Sequence, residues 1–385
     1  MHLRLVVIGA LAVFAVLPLH GQPAAAQPQQ RTYATSAGPV VVEAVATGLE
    51  HPWGVAFLPD GRFLVTERPG RLRVIEVDGR LSEPLAGVPR VAAVGQGGLL
   101  DVTLDPSFTA NRLIYLSFAE PRTDGKKGAN GTSVARARLN AANTALEDVT
   151  VIFRQLPSYN SQLHFGSRLV FDRSGNIFVT VGDRYVLRDE AQNPANHLGK
   201  VMRITPQGGA PADNPKPKGW LPDIWSIGHR NVQGAALHPV TGKLWTAEHG
   251  AQGGDEINVV EAGRNYGWPV ITYGRDYSGA KIGIGTAKEG MEQPIHYWDP
   301  SMAPSGMTFY TADRFPTWRS SVFVGALAGQ HIARLTIDGE KVVAEEKLFA
   351  GIARIRDVRQ GPDGYIYALT DEPRPDGRLL RIRPK

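Results

Sequence analysis

Directional polar groups are concentrated in one short stretch, Ile227-Gly228-His229-Arg230-Asn231-Val232-Gln233-Gly234. A histidine, a guanidinium and an amide stand side by side between two apolar runs, 224–227 and 235–237. Glycines near both ends let the backbone turn sharply or pass close to a ligand. Related groups recur elsewhere: Gln96 in Gly95-Gln96-Gly97-Gly98, His164 in Leu163-His164-Phe165-Gly166, and two arginines in Arg354-Ile355-Arg356. Arg230, Arg354 and Arg356 each carry the planar donor fork that grips a carboxylate at two points. Taken singly, each has the alternative of an ordinary ion pair. Three at matching positions point to a ligand with several carboxylates. Arg354 and Arg356, two residues apart on a strand, should face the same side.

His164 lies between Leu163 and Phe165. An apolar setting disfavours imidazolium, so the neutral ring can accept a proton as a general base. The alternative, for His164 as for His229 and His249, is a structural histidine with its nitrogens already bonded. No histidine pair has zinc-ligand spacing. Glu248 to Asn258 combines a glycine-rich loop, whose carbonyls are free to point outward, with Asp255 and Glu256. That donor set suits a hard cation such as Ca²⁺, or else forms a solvated acidic turn; the spacing is not that of an EF-hand.

These groups need a scaffold, and the chain supplies a repeated one. An apolar strand, a turn with Pro, Asp or Gly, and a second apolar strand occur six times. The copies are 54–66, 99–118, 167–180, 234–247, 306–325 and 357–370. Their starts are roughly 45 to 70 residues apart, the period of four-stranded propeller blades with loop insertions. Further strands are expected at 72–77, 133–139, 201–204, 332–337 and 379–382. The fold expected is all-β, a six-bladed β-propeller with four-stranded antiparallel blades; a pair of β-sandwiches would not need six copies of one unit. The polar clusters fall just before the repeats, which would bring them to one face around the central channel. Insertions at 121–132, 186–197, 207–219 and 273–296 would supply long loops on that scaffold.

The chain has 385 residues, 43 glycines, 28 prolines and no cysteine, so disulfides and thiolate metal sites are excluded. Its formal charge of +5 is scattered, which argues against nucleic-acid binding. Residues 1–26 read as a signal peptide: a basic start, an apolar run from Leu5 to Leu17 and a small-residue cleavage site after Ala26. An uncleaved anchor is the alternative. Residues 27–40 are expected as a flexible tail and 41–385 as the propeller. No other stretch is long and apolar enough to span a membrane. The protein is therefore expected to be periplasmic or secreted, as a monomer or dimer.

Taken together and in order, these motifs resemble the soluble quinoprotein glucose/aldose sugar dehydrogenases. The match also takes in His164-Phe165-Gly166-Ser167-Arg168-Leu169, Asp255-Glu256-Ile257-Asn258 and Asn265-Tyr266-Gly267-Trp268-Pro269, and covers about 42–383. The resemblance implies pyrroloquinoline quinone at the propeller mouth, an aldose sugar as substrate and an external electron acceptor that it does not name. It implies that His164 takes the proton of the C1 hydroxyl while hydride passes to the quinone, giving a lactone. It places Arg230 by the quinone oxygens, Asn231 against the cofactor, Arg354 and Arg356 on its carboxylates, and Gln96 on the sugar. Carbonyls of Gly250 and Ala251 would hold the Ca²⁺ that sits on the cofactor, and Glu256 with the Tyr266 carbonyl a structural Ca²⁺. Two departures stand out. Ala328 occupies the position of the family's cofactor-binding lysine, and Leu163 that of an acidic residue before the histidine. The first bears on cofactor affinity and the second on glucose preference. The alternatives are a non-catalytic sugar- or protein-binding propeller, or a Ca²⁺-dependent lactone hydrolase on the same fold.

Overall fold

The computed structural model describes residues 30–372 and 375–385. Six antiparallel sheets follow one another along the chain. Blade 1 comprises Pro52–Phe57, Phe63–Glu67 and Arg71–Ile75, and an isolated bridge from Ile75 to Leu81 marks its fourth position. Blade 2 comprises Leu99–Leu104, Leu113–Pro121, Asn130–Leu139 and Leu146–Arg154. Leu169–Phe171, Ile177–Val181, Lys200–Ile204 and Ile224–Ile227 make blade 3. Blade 4 is Val232–Leu237, Leu244–Glu248, Asp255–Val260 and His296–Trp298. In blade 5 the strands are Pro304–Phe309, Ser321–Ala326, His331–Asp338 and Lys341–Leu348. Blade 6 contributes Ile355–Gln360, Ile366–Thr370 and Gly377–Pro384.

The first strands of successive blades pack on one another, and blade 6 returns to blade 1, so the ring closes. Its closure joins distant parts of the chain: Gly38–Leu49 pairs with Gly377–Pro384 in the last sheet. The expected propeller is therefore present, and the first two strands of each blade are the two read from each repeat. The expected signal peptide, 1–26, lies outside the described residues, as do 27–29. The expectation of a flexible tail fails from Gln30 onward. Gln30–Thr35 is strand, in hairpin register with Gly38–Glu43. Val40, Val42 and Ala44 are buried with Phe323, Ile355 and Ile382, and that core anchors the hairpin.

Within the channel, side chains from opposite blades interlock. Arg168 Nη1 lies 3.1 Å from both Asp101 Oδ1 and Asp357 Oδ1. Arg359 Nη2 and Nε reach Asp101 and Asp357 at 3.0 Å each. Both aspartates also accept backbone N–H groups, from Leu169 and Val102 onto Asp101 and from Val358 onto Asp357. Burial opposes charge on Arg359, but the two carboxylates hold it more firmly protonated than usual. Among the described residues no helix is long and apolar enough to cross a membrane.

Candidate functional site

The crossovers between blades set the site. Each leads from an outer strand to the innermost strand of the next blade, so its residues emerge on the rim where inner strands begin. Gln96 precedes the inner strand of blade 2, His164 that of blade 3, Arg230 and Asn231 that of blade 4, and Arg354 that of blade 6. Arg356 is the second residue of its strand.

His164 is buried, and its backbone takes the left-handed region at φ 52°. Non-glycine residues there store strain and cluster at functional sites. A Cβ at Gly182 would lie 2.3 Å from the His164 carbonyl oxygen, so only glycine lets the two segments approach. Next to that glycine, Asp183 Oδ1 lies 2.6 Å from His164 Nδ1. The carboxylate also accepts the indole N–H of Trp268 at 2.8 Å and the Tyr185 N–H at 2.7 Å. Burial alone would raise the Asp183 pKa, but the His164 hydrogen bond and nearby positive charge bring it below the usual value. An ionised acceptor at Nδ1 fixes the proton there and leaves the Nε2 lone pair open. Burial lowers the His164 pKa, Asp183 opposes the shift, and Arg230 and Arg184 add to it. Asp183 was not anticipated; its only signal is Gly182-Asp183 following the second strand of the third repeat.

A cavity of about 470 Å³ opens at the mouth. It is lined by Arg354, Arg356, Gln96, His249 and Arg68, with Trp53 among its walls. Arg354 and Arg356 do face one space. Arg356 donates to Gln233 Oε1 at 2.6 Å and to Asp371 Oδ2 at 3.1 Å, while Arg354 is exposed and reaches the Leu327 carbonyl at 3.3 Å. Gln96 Oε1 accepts the His164 N–H at 2.8 Å, so its amide nitrogen is the end left for a ligand. Ala328 is exposed on the rim, next to the cavity-lining Leu327. Leu163 carries no charge to the base beside it.

Arg230 is set apart from the other two arginines. It lines a neighbouring cavity of about 390 Å³ with Tyr185, Trp268, Ala251, Tyr277 and Ile282. Its guanidinium lies over the Trp268 ring at 5.2 Å and donates to the His249 carbonyl at 3.2 Å. His249 itself lines the larger cavity, so this contact joins the two spaces. Burial, with Arg230 and Arg356 nearby, pushes His249 down to about 3, and its Nε2 is bonded to the Pro304 carbonyl. His229 is a core histidine: it bonds Ser226 Oγ at 2.9 Å and Glu248 Oε1 at 3.1 Å and stacks on Tyr266. Asn231 gives its oxygen to Gly166 N–H, but its buried amide nitrogen has no partner. The buried Nε atoms of Arg230 and Arg356 are also unpartnered. Buried donors are rarely left so, and these three fit a ligand rich in acceptor oxygens.

Gly250 and Ala251 follow the second strand of blade 4, and Ala251 lines the Arg230 cavity. Asp255 and Glu256 begin the next strand, so the expected loop ends earlier. Asp255 is buried and accepts from Gly250 N, Ser301 Oγ, Met302 N and Ala303 N, which rules out a solvated turn there. Glu248, Glu256, Gly250, Gly254 and Tyr266 surround a void of about 10 Å³. Glu248 and Glu256 share the single amide group of Asn258, whose buried oxygen is unpartnered. Burial and the neighbouring Glu248 push Glu256 up to about 8. Two crowded carboxylates and an orphan carbonyl-type oxygen are a donor set that a hard cation would satisfy. Among the described residues no three His, Cys, Asp or Glu side chains cluster around one point, so backbone oxygens would have to complete any such site.

The family model described as Glucose / Sorbosone dehydrogenase matches residues 49–381. The chain is 46% identical over 352 residues to the aldose sugar dehydrogenase YliI of Escherichia coli, covering 90% of this chain and 93% of that protein. It resembles a crystal structure of a glucose dehydrogenase with a TM-score of 0.85 and 51% identity, covering 88% and 98% of the two chains. It also resembles the PQQ-bound form of the aldose sugar dehydrogenase of Streptomyces coelicolor, with a TM-score of 0.75 and 26% identity over 92% and 99%.

Proposed function

The chain belongs to the glucose/sorbosone dehydrogenase family, and from that premise we propose that it is a pyrroloquinoline-quinone-dependent oxidoreductase of aldose sugars. Oxidation at C1 would give the lactone. The observation that carries this reading is a neutral histidine, locked by Asp183 with Nε2 open, beside buried donors that lack partners.

When bound, the quinone would supply the hydride acceptor that no side chain can provide, and Ca²⁺ would supply Lewis-acid polarisation beside it. Arg354 and Arg356 would hold its carboxylates, and Arg230 and Asn231 its remaining polar edge. Carbonyls of Gly250 and Ala251 would hold the cofactor's Ca²⁺. Glu256 and the Tyr266 carbonyl would hold a structural one, which the crowded carboxylates support. Gln96 uses one end of its amide to fix the His164 backbone and offers the other to the sugar.

His164 Nε2 takes the proton from the C1 hydroxyl as the C1–H bond breaks. The O–H electron pair becomes the carbonyl of the lactone, and the hydride leaves with its own pair. The new imidazolium is stabilised by Asp183, which stays ionised. Burial keeps the base neutral until that moment. Leu163 puts no acidic side chain at the position just before the base, which supports a broader sugar range than glucose. The composition of residues 1–26 supports export to the periplasm or medium.

The test is reconstitution. Purified protein is loaded with the quinone and Ca²⁺, then given a panel of aldoses and a dye acceptor. Dye reduction that requires both additions and a sugar is expected. Bound quinone without dye reduction on any aldose would overturn the reading.

A further inference from the structure

We infer that Arg68 is a third guanidinium of the cofactor cradle and supplies the cationic contact that Ala328 does not. The inference rests on the quinone reading above. Arg68 follows the second strand of blade 1 and is tied to the rim by its backbone. Its N–H donates to the His51 carbonyl at 3.1 Å, and its own carbonyl accepts Leu99 N–H at 3.1 Å. Its side chain lines the same cavity of about 470 Å³ as Arg354 and Arg356.

The pairing of this arginine differs from that of its neighbours on the blade. Arg71 and Arg73 both reach the buried Glu67, at 2.7 and 2.8 Å. Arg68 makes no ion pair among the described residues. It donates to the Gly95 carbonyl at 2.9 Å, on the loop that carries Gln96, and its buried Nε has no partner. Its charge is felt across the cavity, where it disfavours protonation of Arg356 and favours ionised Asp371. Three guanidiniums thus face one carboxylate, and that carboxylate already holds His51 at 2.9 Å and Arg356 at 3.1 Å. The excess positive charge calls for a polyanion with carboxylates spread over its edge. Ala328 brings no charge from blade 5, while Arg68 brings one from blade 1 on the same rim.

The experiment is a titration of the full apo-protein with pyrroloquinoline quinone in Ca²⁺. Quenching of tryptophan fluorescence is the readout, since Trp53 lines the cavity. Arg68→Ala should weaken binding about ten- to hundredfold, the range for a hydrogen bond to a charged group. Ala328→Lys placed in that background should recover part of the loss. Arg68→Gln, which can keep the Gly95 contact without the charge, should weaken binding similarly and serves if the alanine variant melts early. Wild-type quenching with unchanged affinity in both Arg68 variants overturns this inference alone. No quenching in the wild type overturns it together with the quinone reading.

Discussion

Two sets of arginines, one inside the channel and one at its mouth, are treated oppositely by the fold. In the channel, Arg168 and Arg359 meet Asp101 and Asp357, two charges of each sign in a tight lattice. At the mouth, Arg68, Arg354 and Arg356 line one cavity whose only acidic side chain among the described residues is Asp371, while Arg230 lines the neighbouring one. Trp53 stands between the sets, with Arg168 4.4 Å and Arg356 5.8 Å from its ring. Arg356 and Arg359, one from each set, stand on the same inner strand, so the strand does not distinguish them. Charge balance does. A lattice whose charges cancel holds blades together, while an unbalanced one is completed by something from outside.

The contrast breaks most sharply at the base. His164→Gln should reduce turnover about 10²–10⁴-fold, the usual worth of positioned acid–base catalysis. Quinone affinity, by fluorescence titration, should stay within a few fold. Equal loss of both would mean that the residue belongs to the cradle. Asp101→Ala tests the other region. One buried guanidinium, Arg168, and one half-buried, Arg359, lose a partner, so chemical denaturation should show about 3–5 kcal/mol less stability. A normal denaturation midpoint would show that the channel lattice is not structural.

Asp183→Asn should also lower turnover, by up to about 10⁴-fold, as where a carboxylate fixes the tautomer of a catalytic histidine. Its pH profile is more telling. Catalysis needs neutral His164, whose pKa lies below its ordinary value, so activity should be lost as pH falls through that lowered value. Asp183 favours the imidazolium, and removing its charge should move the acid limb to still lower pH. A limb that stays in place would separate the two residues.

The repeats were legible because each blade restates one local rule, apolar strand, tight turn, apolar strand. The mouth residues were legible for the same reason, since a crossover recurs at a fixed point of every repeat. Other features were not. Asp183 is one carboxylate after a strand, and only the approach through Gly182 brings it to His164. The channel lattice joins Asp101 to Arg359 across 258 positions of sequence, which no local pattern encodes. The strand at 30–35 has no local signal for a like reason: the hairpin that carries it is anchored by the far end of the chain. Three arginines were expected around one opening, yet Arg230 lines a separate cavity, because its crossover folds against Trp268 and His249.

Thermal denaturation with and without pyrroloquinoline quinone, in Ca²⁺, tests the account most directly, using Arg354→Ala beside the wild type. Arg354 is exposed and faces the cavity. A ligand at about 100 times its Kd stabilises the state it binds by about 2.7 kcal/mol. The wild-type melting temperature should therefore rise with the quinone, and the variant should match the wild type without ligand but rise less with it. A variant that melts early without ligand and keeps the full rise would make the mouth arginines part of the scaffold and contradict the account.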